Sequence, residues 1–178
     1  MLSAECAWTV LRAEHARIRD LLDHVDSRLN GDGWTRSPVA EAPRLARLIG
    51  QLQAFDEATH RPKGVVLLGL LRGRSPQADQ LLEELEQESR LGDQLLSQAA
   101  AALQRIGAGD MDAAPMVKSL LAEHRALMLA HLGREDTLLH SQTALLLTPE
   151  EWATVASSMS AAMRSVAARK AKQPAPRR

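Results

Sequence analysis

The stretch AHLGREDTLLHSQTALLLTPEEW, Ala130–Trp152, decides how the rest of the chain is read. His131 and Glu135 stand four residues apart, which on a helix puts them on one face, one turn apart. Leu120, Leu127, Leu138 and Leu145 fall near that face, so a ligand-type pair sits on the apolar side of an amphipathic helix. The helix must end before Thr148-Pro149-Glu150-Glu151. There an N-cap Thr, a Pro at the first helical position and a Glu at the third start another helix.

Working back from that stretch, the chain divides into amphipathic segments of bundle length. Trp8, Leu11, His15, Ile18, Leu22, Val25 and Leu29 alternate steps of three and four. They predict a first helix over 3–29, with His15 on a seam position that would otherwise take Leu. His24 lies about half a turn away and should face water. Asn30-Gly31-Asp32-Gly33 ends the helix, and 34–43 reads as a loop with two prolines.

A second helix is predicted from about Glu41, with Leu45, Leu48, Ile49, Leu52, Asp56 and His60 on one broad face. Pro62 should kink or overwind it before the apolar run 65–71 resumes the core. Arg72-Gly73-Arg74 is a tight turn, and Ser75-Pro76 caps a third helix that ends near Gly107. The Leu/Ala seam of that helix is interrupted by Ser89 and Gly92. A fourth helix follows over 114–145, with seam residues including Val117, His124, His131 and Glu135. A shorter fifth, 149–168, presents Trp152, Val155, Met159, Met163 and Val166.

Four long helices with short connections predict an all-α, up-down-up-down four-helix bundle with a short fifth C-terminal helix. The expected domain is 1–168, followed by a basic, Pro-containing and disordered tail over 169–178. A chain of 178 residues can bury a sizeable single core. With one Phe, three Trp and no Tyr, that core must be Leu and Ala. Basic and acidic residues balance at 22 each, so no global field recruits nucleic acid or anionic membrane. The tail's cations come without stacking aromatics, which also argues against nucleic acid. The one cysteine, Cys6, can make neither an internal disulfide nor a thiolate metal site. With no apolar leader and no run near the roughly 20 residues a membrane helix needs, the expected location is cytoplasmic.

Three short motifs carry a family resemblance. His131, Glu135 and Trp152 match a last-helix pattern of the form H-M-x-x-E-E…P…L-t-x-e-D-W, with Leu132, Asp136 and His140 departing from it. His60, Pro62 and Lys63 match H-H-P-K-E-E, with Arg61, Gly64 and Val65 departing. Leu85 to Ser89 resembles L-x-x-E-H, with Ser89 where the His belongs. In this order and spacing, over about 14–152, the chain resembles hemerythrin-like (HHE cation-binding) proteins. The resemblance implies a metal centre inside the bundle, built from a His of helices 1 and 3 and a His-x-x-x-carboxylate pair from helices 2 and 4. Carried over residue by residue, the metal ligands are His15, His60, His131 and Glu135. The bridging Glu of helix 2 is Gly64 and the His of helix 3 is Ser89.

An incomplete set implies an incomplete centre. His15, His60 and the shared Glu135 survive as one half-site, while the other keeps only His131 and Glu135. The expectation is at most one ion of iron, zinc or manganese, types that imidazole and carboxylate suit, and no intact di-iron centre. Asp56, Asp93 and Asp136 are weighed as substitute ligands and read as solvated or capping charges. His124, seven residues from His131, is about 10 Å along the helix and belongs to the core or its rim. His140 is read as a surface residue.

The functional expectation is a binding protein, not an enzyme, with a metal- or oxygen-related sensing or storage role. The alternative is a metal-free interaction or regulatory module that keeps the fold and docks a protein partner or dimerises. Di-iron oxidases use paired Glu-x-x-His motifs. Here only Glu57 to His60 has that spacing, with no facing copy.

Overall fold

The structure, a computed structural model, describes residues 2–172, with side chains over 3–165. The elements are α1 (Leu2–Leu29), α2 (Asp32–Arg36), α3 (Pro38–Phe55), α4 (Arg61–Leu71), α5 (Pro76–Gly107), α6 (Ala114–Arg134), α7 (His140–Leu146) and α8 (Pro149–Lys172). A π-helical turn, Asp56–His60, joins α3 to α4, and a second, Glu135–Leu139, joins α6 to α7. Each trio therefore makes one continuous rod. No strand occurs among the described residues.

The four rods pack in cyclic order as an up-down-up-down bundle: α1 lies beside α3 and α6, and α5 beside the same two. Helix α8 lies across α1 and α4 at one end. Its start carries the predicted box: Thr148 Oγ1 accepts from the Glu151 amide at 3.3 Å, and Glu151 Oε2 accepts from the Thr148 amide at 2.9 Å. Ser75 caps α5 by accepting from the Ala78 amide. Gly73 turns the preceding loop with φ of 77°, a left-handed conformation that favours glycine.

Several expectations change. The segment 34–43 is largely helical, because Ser37-Pro38 starts α3 with Pro at the first helical position, and Trp34 on α2 is buried. Around Pro62 the rod is widened into a π turn, not overwound. Leu138 and Leu145, expected on the seam, are 51% and 80% exposed, whereas Leu139 and Thr143 are buried. The π turn at 135–139 holds one residue more than an α turn and rotates everything after it by about 100°. Within the apolar run 65–71, Val65 is exposed; Leu67 and Leu71 take the bundle-facing positions. Helix α8 reaches Lys172, four residues into the expected tail. The remainder of that tail, 173–178, lies outside the described residues, as does the Val166 side chain. Met163 is half exposed, so the packed face of α8 is Trp152, Val155 and Met159.

The core is divided in two. One cluster gathers Ile18, Leu22, Leu45, Ile49, Leu96 and Leu121 at one end; the other gathers Trp8, Leu11, Leu67, Leu82, Trp152 and Met159 at the other. His15, His60, His131 and Glu135 come from rods that run through both ends. Both π turns sit beside these residues: one ends at His60 and the other begins at Glu135.

Candidate metal centre

The Nε2 edges of the imidazoles of His15, His60 and His131 converge on the Glu135 carboxylate. His15 Nε2 and His60 Nε2 are 3.0 and 3.6 Å from Glu135 Oε2, and His131 Nε2 is 3.7 Å from Oε1. The His15 and His60 rings meet edge to face with centroids 5.0 Å apart. Ligand atoms of His15, His60 and Glu135 all lie within 4.8 Å of one another, close enough to share one ion. His131 lies outside that trio but against the same carboxylate. His15 is 1% exposed and Glu135 12%.

The other edge of each ring faces an outer carboxylate, and each of those is held by its own cation. His15 Nδ1 lies 2.7 Å from Asp136 Oδ1, and Asp136 Oδ2 accepts from Arg19 at 2.7 Å. His131 Nδ1 lies 3.1 Å from Glu88 Oε2, and Glu88 Oε1 pairs with Arg134 at 2.9 Å. His60 Nδ1 is 3.4 Å from Glu14 Oε2, an ion-pair contact without hydrogen-bond alignment. Glu14 is bonded in turn to the buried Lys63, whose ammonium also donates to the Thr59 carbonyl at 2.8 Å. An Nδ1–H directed at a carboxylate leaves the Nε2 lone pair free to face inward, the arrangement that orients metal-binding imidazoles.

The inner atoms have no comparable partners. His15 Nε2 and Glu135 Oε2 are buried and approach to 3.0 Å, yet neither makes an aligned hydrogen bond. Buried polar atoms left unmatched are costly, and a cation between them would satisfy both. The donor set, imidazole nitrogen plus carboxylate oxygen, suits iron, zinc or manganese. On these observations the residues fit a metal ion.

The positions expected to hold the remaining ligands open onto a cavity of about 360 Å³. Gly64, Ser89 and Gly92 line it, together with His15, His60, His131 and Glu135. Asp56 and Asp93, read as solvated or capping charges, both pair with Arg61, at 2.5 and 2.6 Å. Asp136, read from the sequence as a solvated or capping charge, supports His15 from outside. His24 is exposed and His124 buried. His140 is not a surface residue: it is half-buried, edge-on to Trp8 at 4.8 Å. Glu14 and Glu88 were missed as supports. Each is an acid one position off the seam, and in the sequence it carries no mark that separates it from a solvated charge.

The electrostatics of the metal-free site follow from this packing. Burial alone would lower the His60 pKa, but Glu135 and Glu14 outweigh it and raise it to about 10. Burial would likewise raise Glu135, but His15 and His60 hold it well below the usual carboxylate range. For Asp136 the same opposition is won by Arg19 and His15, which hold it low. Desolvation takes His124 the other way, down to about 4.

These shifts fix a pH dependence for metal-free protein. The His60 contribution is complete below its ordinary value of 6.5 and is lost as pH rises through about 10. The Glu135 contribution is present above 4.5 and lost as pH falls through its depressed value. Neutral, buried His124 contributes fully above 6.5, and this is lost between 6.5 and about 4. Denaturant midpoints of chelator-treated protein should therefore peak near pH 6.5. By pH 9.5 stability should have fallen by on the order of 2 kcal/mol. A flat profile from 6.5 to 9.5 would contradict the His60–Glu135 pairing.

Comparison with curated proteins and with solved structures gives no match. The family described as "Hemerythrin HHE cation binding domain" matches residues 6–142. That span covers more than half of the 178 residues and includes all four converging side chains. The chain belongs to the hemerythrin HHE cation-binding family.

Proposed function

We propose that this protein is a binding protein that holds a single transition-metal ion in a reduced form of its family's centre. His15, His60 and Glu135 are the ligands, with His131 recruited from the same carboxylate. The observation that carries this reading is the three-fold relay of cation, outer carboxylate and imidazole around the unmatched inner atoms of His15 and Glu135. Bound there, iron would supply redox and small-ligand chemistry, whereas zinc would supply charge alone. The residues themselves would bind the ion and orient the rings. A metal- or oxygen-related sensing or storage role fits a binding centre of this kind. The single exposed cysteine suits a cytoplasmic setting.

A second reading has an observation of its own. Glu135 already compensates His60 in the metal-free state, so the bundle can stand without an ion and serve as a docking module. A zinc titration of chelator-treated protein separates the two. One equivalent taken up near neutral pH, with proton release from His60, supports the metal reading. No uptake supports the module.

A further inference from the structure

We propose that the cavity beside the histidine cluster is a binding site for a small, uncharged, mainly hydrocarbon molecule, entering between α4 and α5. Its volume, about 360 Å³, falls at the small end of ligand pockets. Two small residues leave it room, Gly64 on α4 and Ser89 on α5, whereas a Cβ on Gly92 would meet Met128 Sδ at 3.2 Å. A Cβ placed on Gly64 would meet only Leu68 Cδ1, at 3.8 Å, so the space beside it is open. The deep walls are apolar and well packed, built from Leu52, Leu67, Leu82, Leu85, Leu96 and Met128. The histidine cluster lines one side of the cavity, and the leucine-walled remainder is the part suited to a hydrocarbon chain.

Charge at the rim sets the class of ligand. Arg61 crosses from the second rod to α5, bonded to Asp56 on one side and Asp93 on the other. Arg90 lies 3.9 Å from Glu86. Arg61 is thus held between two acids, and an anion passing the rim would have to draw it from them. The acids Asp56, Asp93 and Glu86 are engaged by the same arginines, Glu57 is exposed to water, and Glu135 is held by the imidazoles. An organic ammonium would lose its hydration against the leucine walls, since Glu57 stays in water at the rim and Glu135 already faces three imidazoles. A neutral molecule loses nothing by entering. The site stands whether or not the histidine cluster holds a metal, so its failure and the failure of the metal reading are separate results.

Full-length protein, both chelator-treated and zinc-treated, would be titrated with 1-octanol, octanoate and octylammonium. Calorimetry and the fluorescence of Trp8, which lines the cavity, give the readouts. Saturable 1:1 binding of octanol is expected in both preparations, with the two charged analogues weaker by about tenfold or more. Ser89→Leu fills the cavity and leaves His15, His60, His131 and Glu135 unaltered. It should weaken octanol by a similar factor while the thermal midpoint of metal-free protein holds or rises. Gly64→Leu supplies the same test from the opposite wall should the first variant fail to fold. Absence of saturable octanol binding, equal affinity for the charged analogues, or unchanged binding in a folded filling variant would each overturn the proposal.

Discussion

Glu135→Gln should abolish tight metal binding and also destabilise the metal-free bundle. The Glu135 carboxylate is where the three Nε2 edges meet, from three different rods. An amide keeps the shape but brings one oxygen, no charge, and an NH2 that donates towards rings that should themselves be oriented as acceptors. Loss of an outer-shell partner alone lowers metal affinity by about 10- to 100-fold, so loss of the inner carboxylate should cost at least about 100-fold. In the metal-free protein the change removes the anion that keeps His60 protonated. Breaking a buried pair from one side costs about 3 kcal/mol. Chelator competition with zinc measures the first effect and denaturant midpoints the second. Unchanged zinc affinity would move the metal away from this carboxylate.

The double variant Gly64→Glu with Ser89→His should raise metal capacity from one ion per chain towards two. Both positions border the cavity that touches the cluster. A side chain at 64 has room to extend, because its Cβ meets nothing closer than Leu68 at 3.8 Å. Replacing Gly within a helix should also add about 1 kcal/mol of helix stability. The added carboxylate supplies the bridge that the resemblance assigns to position 64, and the added imidazole completes the half-site that otherwise has only His131 and Glu135. Elemental analysis after iron loading reads the outcome. A double variant that folds and still takes one ion would mean that residue 64 cannot reach the centre.

Much of the bundle was legible because helix physics writes itself into periodic spacing. The seam of α1 and the caps at Ser75 and Thr148 stand as read. Helical periodicity failed where the helix stops being α. No residue in 135–139 announces a π turn, so extending a uniform period put Leu138 and Leu145 in the core when they face solvent. Pro62 did mark the other π turn, but a missing amide hydrogen bond is compatible with either winding or widening. In the site, His15, His60, His131 and Glu135 could be picked out because polar residues on an apolar seam stand out. Glu14 and Glu88 could not, because a carboxylate one position off the seam looks like any solvated charge until a ring from another rod is set against it. The same holds for Asp136, whose partner lies 121 residues away in the chain.

The central claim is one metal site where the family resemblance calls for two. Its most direct test is the metal content per chain of protein purified without a nickel affinity step, loaded with iron, and read together with the optical spectrum under air. The proposed single site predicts at most one iron per chain and no absorption from a bridged two-iron pair, with His15→Ala removing the iron that is bound. Two tightly held irons in the unaltered protein would contradict it, and would mean that Asp56 or Asp93 leaves Arg61, or Asp136 leaves His15 and Arg19, to become a ligand.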